Sequence, residues 1–334
     1  MYDQTPRLVP VAGHNEETYD EGAEEQREKV RSFFDGDEGW QGKLYSARND
    51  RFARAVARRR SYLLHMLASA NEPRGGNALD IGCGSGSYME ELARLGFTVY
   101  GMDSSGEMVR CAKRTLGNRA SVLCGDSESI PFKSGQFDVV LCVGVLGYLL
   151  EDATTLSEMH RVLKPDGLLI VNVENMMSFS NIDYVIRRRL RRDGAGFVGN
   201  RQGRTDPEAT FTSPWVLQDP RRRFRYKLYN PWAFEVLMNR SGFTLVDSMT
   251  FGIEFRILRR FKLVPESWLL RWELIGESLM RRFRVPYFSY LGESYNALFQ
   301  KQDEVSPVRS SGRPDHFRGG ISGSLRHRTL AGDG

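Results

Sequence analysis

Cysteine and histidine are scarce in this 334-residue chain, with four of the first and five of the second. Cys83, Cys111, Cys124 and Cys142 stand far apart, no CxxC pair occurs, and no histidine lies at zinc-ligand spacing. That excludes a zinc-finger type of metal site and a disulfide framework, and reduced cytoplasmic thiols fit best. Long apolar runs are also missing: the longest, 139–150, is too short to span a bilayer. The N-terminus carries Asp3 and no basic-then-apolar stretch, so it does not read as a signal peptide. These absences set the expectation of a soluble, cytoplasmic protein that holds no metal.

An apolar content of 40% is ordinary for a globular chain. The net charge of +5 is unevenly spread: the first forty residues are acidic, and the stretch 187–284 is strongly basic. Residues 1–39 read as an acidic flexible arm whose one helical segment is 24–34. Residues 40–76 read as a helical cap, with Phe52, Val56, Leu63, Leu64 and Leu67 at helical spacing among arginines.

From residue 77 the pattern alternates. Strands are expected at 78–81, 98–102, 121–124, 137–143 and 167–173, and helices at 87–95, 106–116 and 154–163. Strands separated by helix-length segments imply a parallel sheet covered on both faces. The rhythm breaks at 175–229, too long for a simple connection. Order returns at Asn230, an N-cap followed by Pro231, which opens a helix to 240 and a strand over 243–251. A second helical insertion at 257–284, a last strand at 295–300 and a disordered tail at 301–334 complete the expected organisation, in which 77–300 is one domain with two insertions.

The chemistry concentrates at Leu79-Asp80-Ile81-Gly82-Cys83-Gly84-Ser85-Gly86, a buried strand ending in a glycine turn that opens a helix. Side chains there would block a ligand lying on the backbone, and the helix start offers free N–H groups. The spacing is GxGxG, and Asp80 precedes it. A carboxylate at that place repels a pyrophosphate and attracts an ammonium. Asp103 follows at the end of the second strand, placed to accept from two ribose hydroxyls. Asp126, after the third, is placed to accept from an adenine amino group.

With Gly125 to Phe132, Phe137-Asp138-Val139-Val140 and Arg161 to Gly167 in the same order, these motifs resemble the class I S-adenosylmethionine-dependent methyltransferases, in particular the small-molecule group with the DxGxGxG signature. The resemblance covers 78–173 and, more loosely, 232–251. It implies a Rossmann-like, doubly wound α/β fold. The seven-stranded sheet would be mostly parallel with an antiparallel last strand, joined by a helical N-terminal cap and inserted helices. It implies S-adenosylmethionine as cofactor, with Asp80, Gly82, Cys83, Gly84 and Gly86 at the methionine end and Asp103 and Ser104 at the ribose. Asp126 and Ser127 would hold adenine, Val143 would lie beneath the cofactor, and Tyr45 would close over it.

Two departures from the family stand out. Gly147-Tyr148 replaces a histidine common after the fourth strand, which removes the obvious general base, and Lys164-Pro165-Asp166-Gly167 replaces a KPGG turn, with Gly167 keeping the flexible position. Tyr148 and Glu174 follow strand ends where open α/β sheets bind ligands and could orient an acceptor. His160, His65, Cys83 and Cys142 read as packing residues. The preferred acceptor is a small molecule of lipid-linked, saccharide or quinone type.

Phe179, Ile182, Ile186 and Leu190 share a helical face with Arg187, Arg188, Arg189, Arg191 and Arg192 around them, a pattern that allows contact with an anionic membrane or lipid-linked substrate. Arg221, Arg222, Arg223, Arg225 and Lys227 form a second cluster, read as solvated charge. A nucleic-acid methyltransferase is the alternative, disfavoured because no Asp/Asn-Pro-Pro-aromatic sequence follows the fourth strand and no Pro-Cys nucleophile occurs. A noncatalytic cofactor-binding interaction protein is the third reading.

Overall fold

The computed structural model describes residues 7–9, 16–36, 51–70, 75–178, 215–218, 224–251, 268, 271, 275 and 292–302. Tyr45, Arg187, Arg188, Arg189, Arg191, Arg192, most of 257–284 and the tail from 303 lie outside them. In chain order the elements are β1 (Arg7–Val9), α1 (Glu16–Gly36), α2 (Arg51–Ser69), β2 (Asn77–Ile81), α3 (Ser87–Arg94), β3 (Thr98–Asp103), α4 (Gly106–Leu116), β4 (Ala120–Cys124), β5 (Phe137–Val143), α5 (Ala153–Val162), β6 (Leu163–Glu174), β7 (Trp215–Gln218), β8 (Arg225–Leu228), α6 (Pro231–Arg240), β9 (Phe243–Phe251) and β10 (Ser294–Lys301).

Seven strands form one sheet in the order β4-β3-β2-β5-β6-β10-β9. β10 runs antiparallel to both of its neighbours, and the strands from β4 to β6 are parallel. Alternation along the strands sorts apolar residues to two faces. Leu79, Val140, Leu169 and Phe299 enter one core with Leu156 and Met159 of α5 and Phe234 of α6. Ala78, Val139, Leu141, Ile170 and Leu298 enter the other with Leu63 and Leu67 of α2, Leu92 of α3 and Ala112 of α4. The sheet is therefore doubly wound, as the near-continuous apolar run of β5 implies. Among the described residues no helix is long and apolar enough to cross a membrane.

Local chemistry sets the element ends. Ser105 caps α4 by accepting from Met108 N–H (3.1 Å), and Asn230 caps α6 by accepting from Trp232 N–H (3.0 Å), with Pro231 at the first helical position. The turn into β6 differs from expectation. Its left-handed residue is Asp166 (φ 58°), not Gly167. Gly167 is required for a different reason: a Cβ there would lie 2.9 Å from the Lys164 carbonyl oxygen and 3.2 Å from that of Asp138.

Two other expectations are corrected. Within the stretch 1–39 read as a loosely attached arm, Glu16–Gly36 form α1, which packs on the main domain. Its Phe33 meets Phe224 and its Phe34 meets Tyr148 edge to face, with ring centroids 5.3 and 5.5 Å apart. In the second basic cluster Arg221, Arg222 and Arg223 lie outside the described residues, and Lys227 is buried rather than solvated. β8 joins β7 and β1 in a separate three-stranded antiparallel sheet, and its Lys227 is 3% exposed, paired with Asp152. Tyr229 Oη also donates to Asp152 (2.9 Å). Burial pulls the Lys227 pKa down, opposed by the Asp152 charge, so the pair holds β8 against the segment that follows β5. Removing one partner of such a pair strands the other charge. Asp152→Ala is expected to lower unfolding free energy by about 3 kcal/mol, and the Asp152→Ala/Lys227→Met double variant to recover part of that loss, as measured by denaturant unfolding.

Candidate functional site

Strand order decides what can meet. β2 has β3 and β4 on one side and β5 and β6 on the other, so the chain direction switches beside β2 and opens a crevice at the carboxyl ends. The same order lays a row of carboxylates along that edge: Asp126 after β4, Asp103 ending β3, Asp80 near the end of β2 and Glu174 ending β6. All four line one cavity of about 260 Å³, together with Gly82, Cys83, Gly84, Ser104, Ser127 and Val143.

The glycine turn forms the floor. Gly82 has φ 66°, and a Cβ on it would lie 2.3 Å from Val145 Cγ2, so both backbone and neighbours demand glycine. Gly84, also left-handed, would meet nothing within 4 Å and leaves open space above the backbone. Gly86 does not line the cavity. It caps α3 in a left-handed conformation and faces Leu116 of α4, 2.7 Å from an added Cβ, which makes its role one of packing.

Two buried ionisable groups in this cavity each keep a polar atom without a hydrogen-bond partner. Asp80 is 1% exposed and its Oδ2 has no hydrogen-bond partner. Burial, and then the Asp103 charge, push its pKa well above the usual aspartate range. Arg59 of α2, which lines the same cavity, donates through Nη1 to Asn172 Oδ1 (3.1 Å) and lies within electrostatic reach of Tyr88 and Glu174, while its sealed Nε has no hydrogen-bond partner. Such groups are costly unless a ligand completes them. Arg59 escapes sequence reasoning because it is one of three consecutive arginines on α2, and nothing in the sequence shows which of them turns inward.

Asp103 is anchored rather than orphaned: Gly84 N–H donates to Oδ2 and Ser105 N–H to Oδ1, both at 2.9 Å. Each oxygen keeps a lone pair for a further donor. Burial raises the Asp103 pKa against those two hydrogen bonds. Asp126 Oδ1 accepts from Glu128 N–H (3.1 Å), and Ser127 Oγ lies 3.3 Å from Thr155 Oγ1. Burial also pushes the Cys83 and Cys142 thiols up, which keeps both protonated and unreactive.

α1 covers the cavity. Gln26 donates to the carbonyls of Tyr148 (3.0 Å) and Arg225 (2.7 Å) and accepts from Arg225 N–H (3.0 Å). Arg27 pairs with Glu128 and approaches Asp126 (3.9 Å). Asp35 Oδ1 accepts from Ser105 Oγ (2.6 Å) and Glu107 N–H (3.1 Å) at the start of α4. At Gly147 the ring of Tyr226 fills the space a side chain would take, with Cε2 and Cζ 2.7 Å from a built Cβ. The inserted sheet thus supplies the ring that occupies the space left open at Gly147.

The sheet order, the switch point and the glycine turn define a Rossmann-like methyltransferase fold. Residues 79–171 match the family described as a methyltransferase domain. The putative methyltransferase YqeM of Bacillus subtilis is 34% identical over 119 residues, 34% of this chain and 48% of that one. The ubiquinone biosynthesis O-methyltransferase of Brucella anthropi is 29% identical over 205 residues, 59% of this chain and 70% of that one. Among solved structures, the Burkholderia thailandensis 1,6-didemethyltoxoflavin-N1-methyltransferase with bound 1,6-didemethyltoxoflavin and S-adenosylhomocysteine aligns with TM-score 0.51 at 18% identity, covering 91% of this chain and 98% of that one, a likeness of fold. The chain spans about half the length of the curated relatives it matches at 33% and 34% identity. Residues 79–171 form a class I S-adenosylmethionine-dependent methyltransferase domain.

A raised Asp80 pKa means that the ligand-free fold holds a proton the unfolded chain has released. Stability therefore falls as pH rises from the ordinary aspartate value of 3.8 toward the raised one. Asp80→Asn is expected to flatten that part of the stability profile of the ligand-free protein, read by thermal unfolding across pH; an unchanged slope would contradict the assignment.

Proposed function

We propose that this protein transfers a methyl group from S-adenosylmethionine to a small hydroxylated ring of quinol type. The observation that carries the cofactor reading is the pair of incompletely satisfied buried charges: Asp80 and Arg59 present an anion and a cation to one cavity, the complement of an amino-acid zwitterion. The Asp80 carboxylate would take the ammonium and Arg59 the carboxylate of the methionine moiety. The free lone pairs of Asp103 suit two adjacent ribose hydroxyls, and Asp126 with Ser127, beside β4, suits the adenine edge. Cys83, Gly82, Gly84, Ser104 and Val143 provide the surface beneath. The fit runs in the order of the strands, one moiety per strand end.

S-adenosylmethionine supplies a methyl group already activated on a sulfonium. The protein's own task is then to hold an acceptor atom in line and keep water out. α1 performs the exclusion, closing the cavity through Gln26, Arg27 and Asp35. The acceptor reading is supported by the relatives named ubiquinone biosynthesis O-methyltransferase and by the aromatic wall of Phe34, Tyr148 and Tyr226.

Calorimetric titration with S-adenosylmethionine is expected to show one site per chain, weakened about 10- to 100-fold by Asp80→Asn and by Arg59→Met, the loss of one charge-assisted contact each. Folded wild-type protein that takes up no S-adenosylmethionine would sink this reading.

A further inference from the structure

Glu174 is the one carboxylate of the row that the cofactor reading leaves unused. β6 lies two strands from β2 in the sheet order, which at ordinary strand spacing sets its end about 10 Å beyond that of Asp80. Glu174 therefore stands past the methionine end, on the side where an acceptor must enter. The same cavity is lined by Val145, Tyr148, Leu149 and Tyr226, and the Tyr148 and Tyr226 rings meet edge to face at 4.8 Å. Two aromatic rings, two aliphatic side chains and one carboxylate in one cavity suit a flat ring with a proton to give.

The backbone at this place is fixed from three directions. Tyr229 N–H donates to the Glu174 carbonyl (2.9 Å), Asn175 N–H donates to that of Glu293 (2.9 Å), and Asn175 Nδ2 donates to that of Gly292 (2.7 Å). Asn175 is fully buried. β8, which presents Tyr226, is clamped by Lys227 to Asp152 on its other side. Carboxylate and facing phenol are thus carried on the sheet edge and on a held strand, which suits a group that must meet a substrate atom in one orientation.

We infer that Glu174 is the general base for a phenolic acceptor, which it holds against the Tyr148 and Tyr226 wall. The inference rests on the cofactor reading above. In the step it serves, a lone pair of the acceptor oxygen forms the O–C bond to the sulfonium methyl as the C–S bond breaks and its electron pair stays on sulfur. The hydroxyl proton passes to the Glu174 carboxylate. A methyl ether, a neutral thioether and a carboxylic acid result, and the charges cancel. The Arg59 guanidinium lies within electrostatic reach of Glu174.

Catechol and the more acidic 4-nitrocatechol are the probes, with benzylamine as the amine control. In protein saturated with S-adenosylhomocysteine, both catechols are expected to bind, and the absorbance of bound 4-nitrocatechol reports its ionisation. A carboxylate accepting from the phenol holds it neutral, so Glu174→Gln should let the bound ring ionise at lower pH. In turnover, Glu174→Gln is expected to slow methylation of catechol by roughly 100-fold or more and of 4-nitrocatechol far less, with S-adenosylmethionine affinity unchanged. Tyr226→Phe should weaken catechol binding without altering cofactor affinity. Wild-type protein that binds S-adenosylmethionine but takes neither catechol, methylates benzylamine instead, or shows equal losses for both catechols in Glu174→Gln overturns the inference and leaves the cofactor reading in place. Failure to bind S-adenosylmethionine is the separate result that removes both.

Discussion

A carboxylate sealed from water without a counter-charge is an expensive feature, and the structure is organised around Asp80 in that condition. It lies near the end of β2, the strand beside which the sheet changes direction, and its Oδ2 has no hydrogen-bond partner. The left-handed glycines that follow carry the chain away without filling the space. The nearest strong charge is Asp103, of the same sign, which makes the burial of Asp80 more costly still. An arrangement of this kind persists where a cation arrives from outside, and the inward Arg59 makes the complement zwitterionic rather than simply cationic.

α1 covers part of the crevice. It touches the β4 end through Arg27, the start of α4 through Asp35, and the segment after β5 together with β8 through Gln26. One helix therefore bridges the cofactor half of the site and the inserted sheet. Gln26 is 6% exposed, unusual for a glutamine, and all three of its hydrogen bonds reach residues more than a hundred positions away in sequence.

The inserted segment does two jobs at once. Alternation along β8 sends Tyr226 to the cavity and Lys227 to Asp152, so the residue that shapes the chamber is held by its neighbour's ion pair. Gly147 belongs to this design: its missing side chain is the space that Tyr226 occupies.

Alternating strand and helix patterns over 77–173, the glycine turn and the carboxylates Asp80, Asp103 and Asp126 were legible in the sequence, because each depends on local spacing and on backbone rules that act within a few residues. The helix start at Asn230 and Pro231 was legible for the same reason. α1 was misread as a loose acidic arm because its charges dominate its composition, while the contacts that hold it come from Tyr148, Ser105 and Arg225, far along the chain. Lys227 was misread as solvated for the same cause, its partner Asp152 being 75 residues away. Which of the α2 arginines turns inward, that Gly86 packs instead of lining the site, and that Glu174 ends a row begun by Asp126 are consequences of strand order and helix docking. The sequence by itself determined the elements and the glycine turn, since those follow from local periodicity and sterics. Only the tertiary structure decided which side chains line the cavity from α1, α2, β6 and β8, because the meeting of those elements is set by long-range packing.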